Sequence, residues 1–589
     1  MKSKHLSLLV LPTILLSSCT FLFGVQSYTK DINVYDIDKL DAESNLSSGL
    51  QNTIRARFVN GKDYIPYLTL EQYASLYKKH FTSDTNSVVQ ADTFSASWTI
   101  SRGDVVLFVA GIDYFSNEII MAGSIESAYK DDDDPRDLQA LNYALKIDAD
   151  GFNLGDTNYA SFKYSGYKIT TFSADNNRYF PLGLLNITFS DSSGIYFDYN
   201  YSHILSTRDV DNYATCEYVD EGNAYTFNSQ MKANQKDEVI PDYLRDYNSN
   251  LFIYLMDHFY GLKEQKGIKS MASYYKEKGF YSNLYSSQPG TRTMAFSDCL
   301  SVLDDNHTIL VSVNDTWGDP NYQPARRYGE GCHNRSRIRA ELKGYRDSYY
   351  DSLGVATERD VIYSADNKTA LFSFDSFKFG SSSQVFNEDK SIKDTANNYD
   401  TYFLFLDMFN KIKQPGSVEN IVIDVSLNGG GTVGVLMKLL ALISKDDNGY
   451  ISFYDDTMNQ AVVYNTHVDI NNDGKYDAND CFGNDFNFYL LTSDYSFSCA
   501  NAFPCSAQAM KTAKIIGQKS GGGECAVSVH HLPNSEYVYH SSNLHLGLFD
   551  EQKSVFKGFE AGATPDIELA IDADFYSIEK LNTAIANAQ

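Results

Sequence analysis

The stretch Ile421-Val422-Ile423-Asp424-Val425-Ser426-Leu427-Asn428-Gly429-Gly430-Gly431 decides the fold class. It begins as an apolar run rich in β-branched residues, which is typical of a strand buried on both faces. It ends in three glycines, which let the backbone approach a ligand closely and present N–H groups. A segment with helical apolar spacing follows, from about Val433 to Ser444. The order of strand, glycine turn and helix predicts a parallel α/β unit.

The same alternation extends on both sides of this stretch, from about Val361 to Leu569. Further strands are predicted at Ala370 to Phe374, Phe488 to Leu491 and Lys514 to Ile516. Helices are predicted at Tyr402 to Phe409 and after Ser498. This C-terminal part is therefore predicted to be an α/β core.

The rest of the chain has a different character. Strand-like runs such as Val105 to Val109 and Leu184 to Phe189 predict a β-rich α+β region before residue 240, and Thr69 with Gln72 forms a capping-box pattern for a helix there. Helical spacing follows, with Gly318 to Arg339 predicted as a loop. We divide the chain into a signal peptide (1–18), a polar tether (19–50), a β-rich N-terminal domain of unknown role (51–240), a helical subdomain (241–357) and an α/β core (358–589).

The first residues are typical of an export signal. Lys2 and Lys4 precede an apolar run from Leu6 to Leu16, which is too short for a mature membrane span. The run ends in Leu16-Ser17-Ser18-Cys19, which resembles a bacterial lipobox. That resemblance implies cleavage before Cys19, lipid on its sulfur, and a membrane anchor facing outside the cytoplasm. The alternative is an ordinary secretion signal with an incidental cysteine.

Composition and charge restrict the class of protein. The chain has 589 residues, of which 43% are hydrophobic, so it can bury a core and is not globally disordered. Its 49 Lys and Arg against 76 Asp and Glu give a net charge of −27. A nucleic-acid-binding protein needs basic surface to neutralise phosphates, so we expect no nucleic-acid partner.

The cysteines do not form a recognisable pattern. Beyond Cys19 the chain has cysteines at positions 216, 299, 332, 481, 499, 505 and 525. An odd number leaves at least one free thiol or an intermolecular bond. No CxxC and no Cys/His spacing typical of zinc is present, so the spacing does not support a zinc site.

A candidate nucleophile lies where a predicted strand ends and a helix begins, within Tyr495 to Asn501. The hydroxyl of Ser498 would be exposed there, beside backbone N–H groups that have no partner within the helix. This is suitable geometry for a nucleophile beside an oxyanion hole. Taken alone, the same serine is better explained as a helix N-cap.

Five segments in register resemble the tail-specific, or C-terminal processing, serine peptidase family, in particular its tricorn-core-like branch. They cover the chain from about Tyr243 to the end. The segments are Leu303 to Thr308, Asp424 to Gly431, Tyr495 to Asn501, Ile516 to Gly523 and Gly558 to Ile567. The second segment matches the family's D-x-R-x-N-x-G-G except at its third position, and the third segment matches its F-S-A-A/S turn, with Cys in the third place.

The resemblance implies a crotonase/ClpP-like α/β peptidase core and assigns roles in its site. Ser498 would be the nucleophile, His307 its base and Glu560 the acidic residue that orients or supports the site. The backbone N–H groups of Gly430, or a neighbouring glycine, and of Cys499 would form the oxyanion hole. No cofactor is expected for this chemistry.

The chain departs from the family's pattern at three positions. Ser426 stands where Arg is usual, and Asn501 stands where Glu is frequent. The lysine base of the family's other branch lies 25 residues after the nucleophile, and 498 + 25 is occupied by Gly523. A Ser–Lys pair is therefore not expected, and His307 is preferred.

A second motif resembles an EF-hand-type calcium loop of the dockerin kind. Residues 469–480 follow the pattern D-x-N-x-D-G-x-x-D-x-x-D, within a predicted insertion near 465–485. Hard oxygen ligands at this spacing suit Ca²⁺, and Gly474 would make the sharp turn. The expected ligands of a structural ion are Asp469, Asn471, Asp473, Lys475 through its carbonyl, Asp477 and Asp480. A metal-free Asp/Asn turn is the alternative.

These patterns together predict a surface-anchored serine endopeptidase that acts on polypeptide. The first alternative is a lipid-anchored peptide-binding protein on the same fold without catalysis, because Ser426 and Asn501 depart from the family's pattern. A structural or adhesive surface protein is a further alternative. Retention of Ser498, His307 and the glycine turn together favours the enzyme.

Overall fold

The structure is a computed structural model that describes residues 25–38, 40–129, 145–154, 159–209, 211–235, 239–313, 317, 327–389, 391–413, 416–534 and 536–588. Its strands are β1 Ser27–Asp36, β2 Leu50–Val59, β3 Tyr67–Leu68, β4 Thr85–Ala91, β5 Ser95–Arg102, β6 Val105–Asp113, β7 Glu118–Gly123, β8 Leu145–Asn153, β9 Ala160–Lys163, β10 Phe172–Ala174, β11 Asn177–Pro181, β12 Tyr196–Tyr199, β13 Ile204–Thr207, β14 Tyr218–Asp220, β15 Asn223–Tyr225, β16 Ile309–Val313, β17 Ile362–Tyr363, β18 Thr369–Ser373, β19 Asn420–Asp424, β20 Gly449–Asp455, β21 Gln460–Val468, β22 Asn487–Thr492, β23 Ala513–Gly517, β24 Cys525–His531, β25 Glu536–Asp550, β26 Val555–Gly558 and β27 Ile567–Glu568.

The helices lie between these strands in an irregular order. They are α1 Leu70–Ser75, α2 Leu182–Ser193, α3 Asn212–Thr215, α4 Phe227–Asn234, α5 Asp242–Phe259, α6 Met271–Glu277, α7 Tyr281–Leu284, α8 Pro289–Ser301, α9 Glu330–Leu353, α10 Ser382–Val385, α11 Thr401–Lys413, α12 Val433–Leu442, α13 Cys499–Met510 and α14 Ile578–Asn587.

The sheet that positions the site has the order β17-β18-β19-β22-β23-β27. Neighbours from β18 to β27 are parallel, and β17 is antiparallel to β18. Every residue of β18 and β19 is buried, as expected for a parallel sheet covered on both faces. Parallel strands end at the same edge, so the turns after β19 and β22 meet there. The predicted mixed α/β class is confirmed.

The helices over this sheet are held by apolar stripes. On α11, Phe405, Met408, Phe409 and Ile412 recur at helical spacing and are buried in the same core as α12 and α13. Full burial of one such side chain contributes on the order of 2 kcal/mol. The opposite face of the sheet is covered by α9 and α14, through residues such as Leu342.

A second sheet connects the two halves of the chain. It runs β16-β25-β20-β21-β8, with β24 and β26 also paired to β25. Strand β8 precedes residue 240 in sequence, yet it pairs with β21 over its full length. Strand β25 pairs with both β16 and β24, so it joins the loop that precedes β16 to the turn that precedes β24.

The N-terminal half contains two further large sheets. One is an antiparallel meander, β4-β5-β6-β7-β9, and the other has the order β10-β11-β3-β2-β1-β13-β12. A two-stranded hairpin, β14-β15, lies beside them. The capping box predicted at Thr69 and Gln72 is present at the start of α1. The described Tyr and Trp side chains of this half are mostly core residues, including Tyr73, Tyr77 and Trp98.

Three segments differ from the sequence-based expectation. Residues 27–36, placed in a polar tether, form β1, because Ile32 and Val34 alternate toward the core and β2 and β13 pair on either side. Residues 184–189, expected as a strand, lie in α2, because tertiary packing overrides β propensity in an apolar run of this length. Residues 330–339, expected as a loop, begin α9, whose polar composition reflects its exposed face.

Two further observations concern the whole described chain. No described helix combines the length and the apolar character needed to cross a bilayer. The cysteines at 216, 299, 332, 481, 499, 505 and 525 are all unpaired in the described residues.

Candidate functional site

Ser498 has the backbone strain expected of a nucleophile at a sharp turn. It lies between β22 and α13 with φ 56° and ψ −126°, a region that non-glycine residues rarely adopt. Its hydroxyl does not cap α13, so the N-cap explanation does not hold. Its N–H donates to the carbonyl of Gly522 at 3.0 Å. The turn therefore presents a half-buried hydroxyl at the edge of the parallel sheet.

The glycine turn after β19 lies directly against Ser498. A methyl group on Gly430 would lie 2.7 Å from Ser498 Cβ and 3.1 Å from the Cys499 nitrogen. The φ of Gly430 is +110°, which also disfavours any other residue. The carbonyl of Gly430 accepts from the Phe377 N–H at 2.9 Å, which holds the turn in place. A side chain at 430 would displace the serine.

The two expected oxyanion donors differ in their present bonds. The N–H of Cys499, at the first position of α13, has no acceptor among the described residues. The N–H of Gly430 donates to Asn428 Oδ1 at 2.8 Å. The Cys499 thiol is buried and donates to the carbonyl of Gly431 at 3.1 Å. Burial raises the pKa of this thiol to about 12, so it stays protonated and is no nucleophile.

His307 lies beside the serine turn, on the loop between α8 and β16. Its imidazole packs against the ring of Phe497, with centroids 4.6 Å apart. Its Nδ1 is buried and has no hydrogen-bond partner in the part of the chain that the structure describes. Burial lowers the pKa of His307, nearby Asp305 raises it, and Arg335 lowers it further. The net lowering keeps the imidazole neutral at neutral pH.

Asp305 fixes the histidine loop. Its Oδ1 accepts the N–H of His307 at 3.0 Å. Its Oδ2 accepts the hydroxyl of Thr308 at 2.6 Å and that of Ser541, on β25, at 2.7 Å. The carboxylate is buried and fully bonded. It therefore anchors the loop that carries His307 to the second sheet.

Glu560 does not make the contact expected of it. Its Oε2 accepts the N–H groups of Gly523 and Glu524 at 2.9 and 3.0 Å, and no hydrogen bond joins it to His307 among the described residues. Its own N–H donates to Glu524 Oε2 at 2.7 Å. Burial raises the pKa of Glu560, and the neighbouring acids Asp305 and Glu524 contribute. It supports the turn whose Gly522 carbonyl holds Ser498.

Arg335 is a site residue that the sequence did not indicate. Arg335 lies on α9. Its guanidinium is 5.0 Å from the ring centroid of Phe497, and its Nε is 3.7 Å from Asp494 Oδ2. The ring of Phe497 is therefore in contact with both His307 and Arg335. The sequence analysis did not place Arg335 at the site, because residues 330–339 were expected to form a loop and not a helix.

Two of the three departures from the family's pattern, Asn501 and Ser426, are accommodated by specific bonds. The Asn501 side chain donates to the Phe559 carbonyl at 2.9 Å and accepts the Ser520 hydroxyl at 2.7 Å. Ser426 shares a hydrogen bond with Tyr576 at 2.8 Å between their hydroxyl oxygens. With serine at position 426, no arginine there can neutralise the nearby Asp424. The guanidinium of Arg346, on α9, lies 3.5 Å from the Asp424 carboxylate and supplies the positive charge instead.

The loop 469–480 has donor groups that fit a hard cation. Asp469 accepts the N–H groups of Asp473 and Gly474, at 3.2 and 2.9 Å, so the chain winds around its carboxylate. Buried Asp447 lies behind the loop with one unpartnered oxygen, and burial, then Asp480, raise its pKa to about 7. Carboxylates clustered in this way suit Ca²⁺. No three carboxylates of the loop converge within 4.8 Å, however, in the part that the structure describes.

Cys19 lies outside the described residues, so the structure gives no information about the predicted lipidation site.

Comparison with known proteins adds a family match. Residues 390–569 match the family described as Peptidase family S41. This range contains Ser498, Gly430 and Glu560, and His307 lies before it. No curated protein matches the chain.

Solved structures give only distant similarity. A presumed peptidase from Parabacteroides merdae is 18% identical, with 54% of this chain and 88% of that chain covered and a TM-score of 0.34. Mature CPAF is 10% identical, with 59% and 96% covered and a TM-score of 0.34. The photosystem II D1 C-terminal processing protease is 14% identical, with 37% and 47% covered and a TM-score of 0.26. Similarities this weak carry no argument about this chain.

The turns that meet around Ser498 thus lie within a part of the chain that matches a peptidase family, and this match supports a serine-peptidase function for residues 390–569.

Proposed function

We propose that this chain is a serine endopeptidase that hydrolyses peptide bonds of a polypeptide substrate. The observation that carries the proposal is the strained backbone of Ser498, held against the glycine turn at Gly430. A serine held in this conformation at the N-terminus of a helix exposes its hydroxyl beside unbonded N–H groups. A helix cap or a packing residue has no need of this strain.

His307 is the proposed general base. A serine hydroxyl is a poor nucleophile until a base takes its proton, and a neutral imidazole suits this task. The lowered pKa of His307 keeps it neutral, and its imidazole packs against Phe497, the residue immediately before Ser498. The imidazole would take the proton from Ser498 Oγ and return it to the leaving amine.

The N–H of Cys499 is the proposed first donor to the oxyanion. The second donor comes from the glycine turn, and Gly430 can serve only if its N–H leaves Asn428 Oδ1. Loss of one such donor commonly costs about 3 kcal/mol of transition-state stabilisation.

Glu560 was expected to orient or to support the site, and its contacts favour the second of these contributions. By accepting the N–H groups of Gly523 and Glu524, it would hold the turn behind Ser498. Asp305 is the carboxylate whose charge acts on the pKa of His307. Glu560→Gln should then lower kcat without moving the pH dependence, whereas a direct role on the imidazole would move both.

The experiment uses the chain from residue 25 onward and a set of unstructured polypeptides as substrates. Internal cleavage that is lost in Ser498→Ala and kept in Cys499→Ser would support a serine endopeptidase. Saturable binding of the same polypeptides without cleavage would favour the alternative, a non-catalytic peptide-binding protein. Removal of single terminal residues would support an exopeptidase and contradict the endopeptidase proposal.

We also propose a structural Ca²⁺ at 469–480, a crotonase/ClpP-like arrangement for 358–589, and lipidation of Cys19 with a membrane anchor outside the cytoplasm. The donor chemistry of the loop supports the first, and the lipobox pattern supports the last.

Expression of the full chain in a bacterial host tests the proposed membrane anchor. We expect detergent-phase partitioning that Cys19→Ala abolishes, and an aqueous, secreted chain would contradict it.

A further inference from the structure

Three buried side chains behind the catalytic turn bring metal-binding atoms together. Glu524 precedes β24, Cys525 begins it, and His545 lies directly opposite Cys525 on β25. His545 Nδ1 lies 2.9 Å from Glu524 Oε1 and 3.6 Å from Cys525 Sγ, and all three ligand atoms lie within 4.8 Å of one another. Each of the three residues is 4% exposed or less. We call these residues the β24–β25 cluster.

The surroundings of the cluster resemble those of a metal site. A histidine that binds a metal through one nitrogen almost always points the other at a carboxylate or carbonyl. His545 Nε2 faces Asp456 Oδ2 at 3.4 Å. Glu524 is also held, because the side-chain amide of Gln265 donates to its Oε1 at 2.6 Å. Both the imidazole and the carboxylate are therefore oriented before any ion arrives.

The local charge also favours a cation. Glu524 and Asp456 face the single imidazole of His545, and Glu560 lies next to Glu524 through its N–H. Asp305 acts electrostatically on Cys525 from the histidine loop. Two carboxylates thus contact one imidazole in a buried region, and two more lie further out, so one imidazole faces more than one negative charge there.

We propose that Glu524, Cys525 and His545 bind one Zn²⁺ through Oε1, Sγ and Nδ1. A sulfur, a nitrogen and an oxygen ligand are the set that Zn²⁺ accepts, whereas Ca²⁺ and Mg²⁺ take oxygen ligands. On binding, the thiol of Cys525 and the Nδ1 of His545 each release a proton to solvent, and no electron is transferred. The proposal does not depend on peptidase activity.

The expected role of the ion is to hold the turn behind the nucleophile. Glu524 follows Gly522 by two residues, and the Gly522 carbonyl accepts the N–H of Ser498. Fixing Glu524 on a metal would fix this turn from behind. The sequence gives no zinc pattern because its ligands meet by pairing across two strands, 20 residues apart.

The test loads chelator-treated protein, residue 25 onward, with Zn²⁺ in a calorimeter and with Co²⁺ in a spectrophotometer. We expect one ion per chain and a thiolate-to-cobalt charge-transfer band. Cys525→Ser should abolish the band and weaken Zn²⁺ binding by more than about 10-fold, and His545→Gln should weaken it similarly. Cys216→Ser, which alters a half-buried thiol in the N-terminal half, is the matched control and should bind as the parent does.

Two results would overturn the proposal: no binding of either ion, or binding that survives in Cys525→Ser. If the variants fail to fold, X-ray absorption of the zinc-loaded parent protein decides instead. One sulfur with nitrogen and oxygen neighbours would support the cluster. Oxygen neighbours alone would assign the ion to another site, such as the loop 469–480, and would contradict the proposal.

Discussion

The imidazole of His307 packs on the ring of Phe497, the residue immediately before Ser498, with 4.6 Å between the ring centroids. This contact joins two residues that are 190 positions apart in sequence and lie on turns next to strands of different sheets. Arg335 lies on the same ring. Phe497 therefore sets the position of the proposed base relative to the nucleophile and to the nearest cation.

The pH dependence of activity should reflect the lowered pKa of His307. Protonation removes a general base, so activity should rise with pH and reach its plateau once His307 is neutral. Because burial lowers this pKa from its ordinary 6.5, the acid limb of kcat/KM should lie below pH 6.5. The measurement is kcat/KM against pH on a peptide substrate.

Two variants should move this limb in opposite directions. Asp305→Asn removes a carboxylate that raises the pKa of His307, so the limb should move to lower pH. Arg335→Gln removes a cation that lowers it, so the limb should move to higher pH. Shifts of the same sign in both variants would show that another group controls the limb.

Gly430→Ala should lower activity by roughly 100-fold in protein that still folds. Its methyl group would meet Ser498 Cβ at 2.7 Å, and a displacement of about 1 Å at a nucleophile can cost roughly 100-fold in rate. Gly267→Ala is the control, because Gly267 also has positive φ but has open space around its Cβ position. Activity in Gly430→Ala equal to that of this control would contradict the close packing of the two turns.

Arg346→Met should destabilise the α/β core. Arg346 is buried and bonds Asp375 through two nitrogens, at 2.7 and 2.6 Å, while also facing the buried Asp424. Removal of one member of a buried pair commonly costs about 3–5 kcal/mol, because a charge is left uncompensated. Lys343→Met, on the exposed face of the same helix, should change stability by less than about 1 kcal/mol. The free energy of unfolding of both variants is measured with urea. Equal losses of this free energy in the two variants would contradict the structural role of Arg346.

Asp447→Asn should stabilise the calcium-free protein at alkaline pH. Burial, then Asp480, raise the pKa of Asp447 from 3.8 to about 7. A raised pKa means that ionisation opposes folding, so the contribution of Asp447 to stability falls as pH rises from about 3.8 to about 7 and stays constant above that. The variant should therefore melt at a higher temperature than the parent at pH 8, and the difference should become smaller as the pH falls from 7 toward 4. Calcium should stabilise the parent at pH 8, and its failure to do so would contradict the proposed ion at 469–480.

The core of the fold was predictable because its signals are local. The apolar run at 421–425, the glycines after it and the helix after Ser498 each report on their own backbone, and the structure has β19, the glycine turn and α13 there. The strand at 27–36 was missed because its pairing with β2 and β13 depends on residues far away in sequence. The same applies to α2, where packing decides between strand and helix.

The site was predictable where a motif and a backbone feature coincide. Ser498 and Gly430 meet because the carboxyl ends of β19 and β22 lie at one sheet edge. The bonds of Glu560 to Gly523 and Glu524 were not predictable, because a carboxylate in a short segment gives no information about which N–H groups face it. Arg335 reaches the site from α9, and its own stretch of sequence contains no local signal of that contact.

The central claim is tested most directly by labelling the chain from residue 25 onward with a fluorophosphonate probe, followed by peptide mapping. The account predicts covalent labelling at Ser498, absent in Ser498→Ala and strongly reduced in His307→Ala. Folded protein that takes no label, or label found only at another residue, would contradict the claim that Ser498 is the nucleophile. Undiminished labelling of Ser498 in His307→Ala would contradict the assignment of His307 as its base.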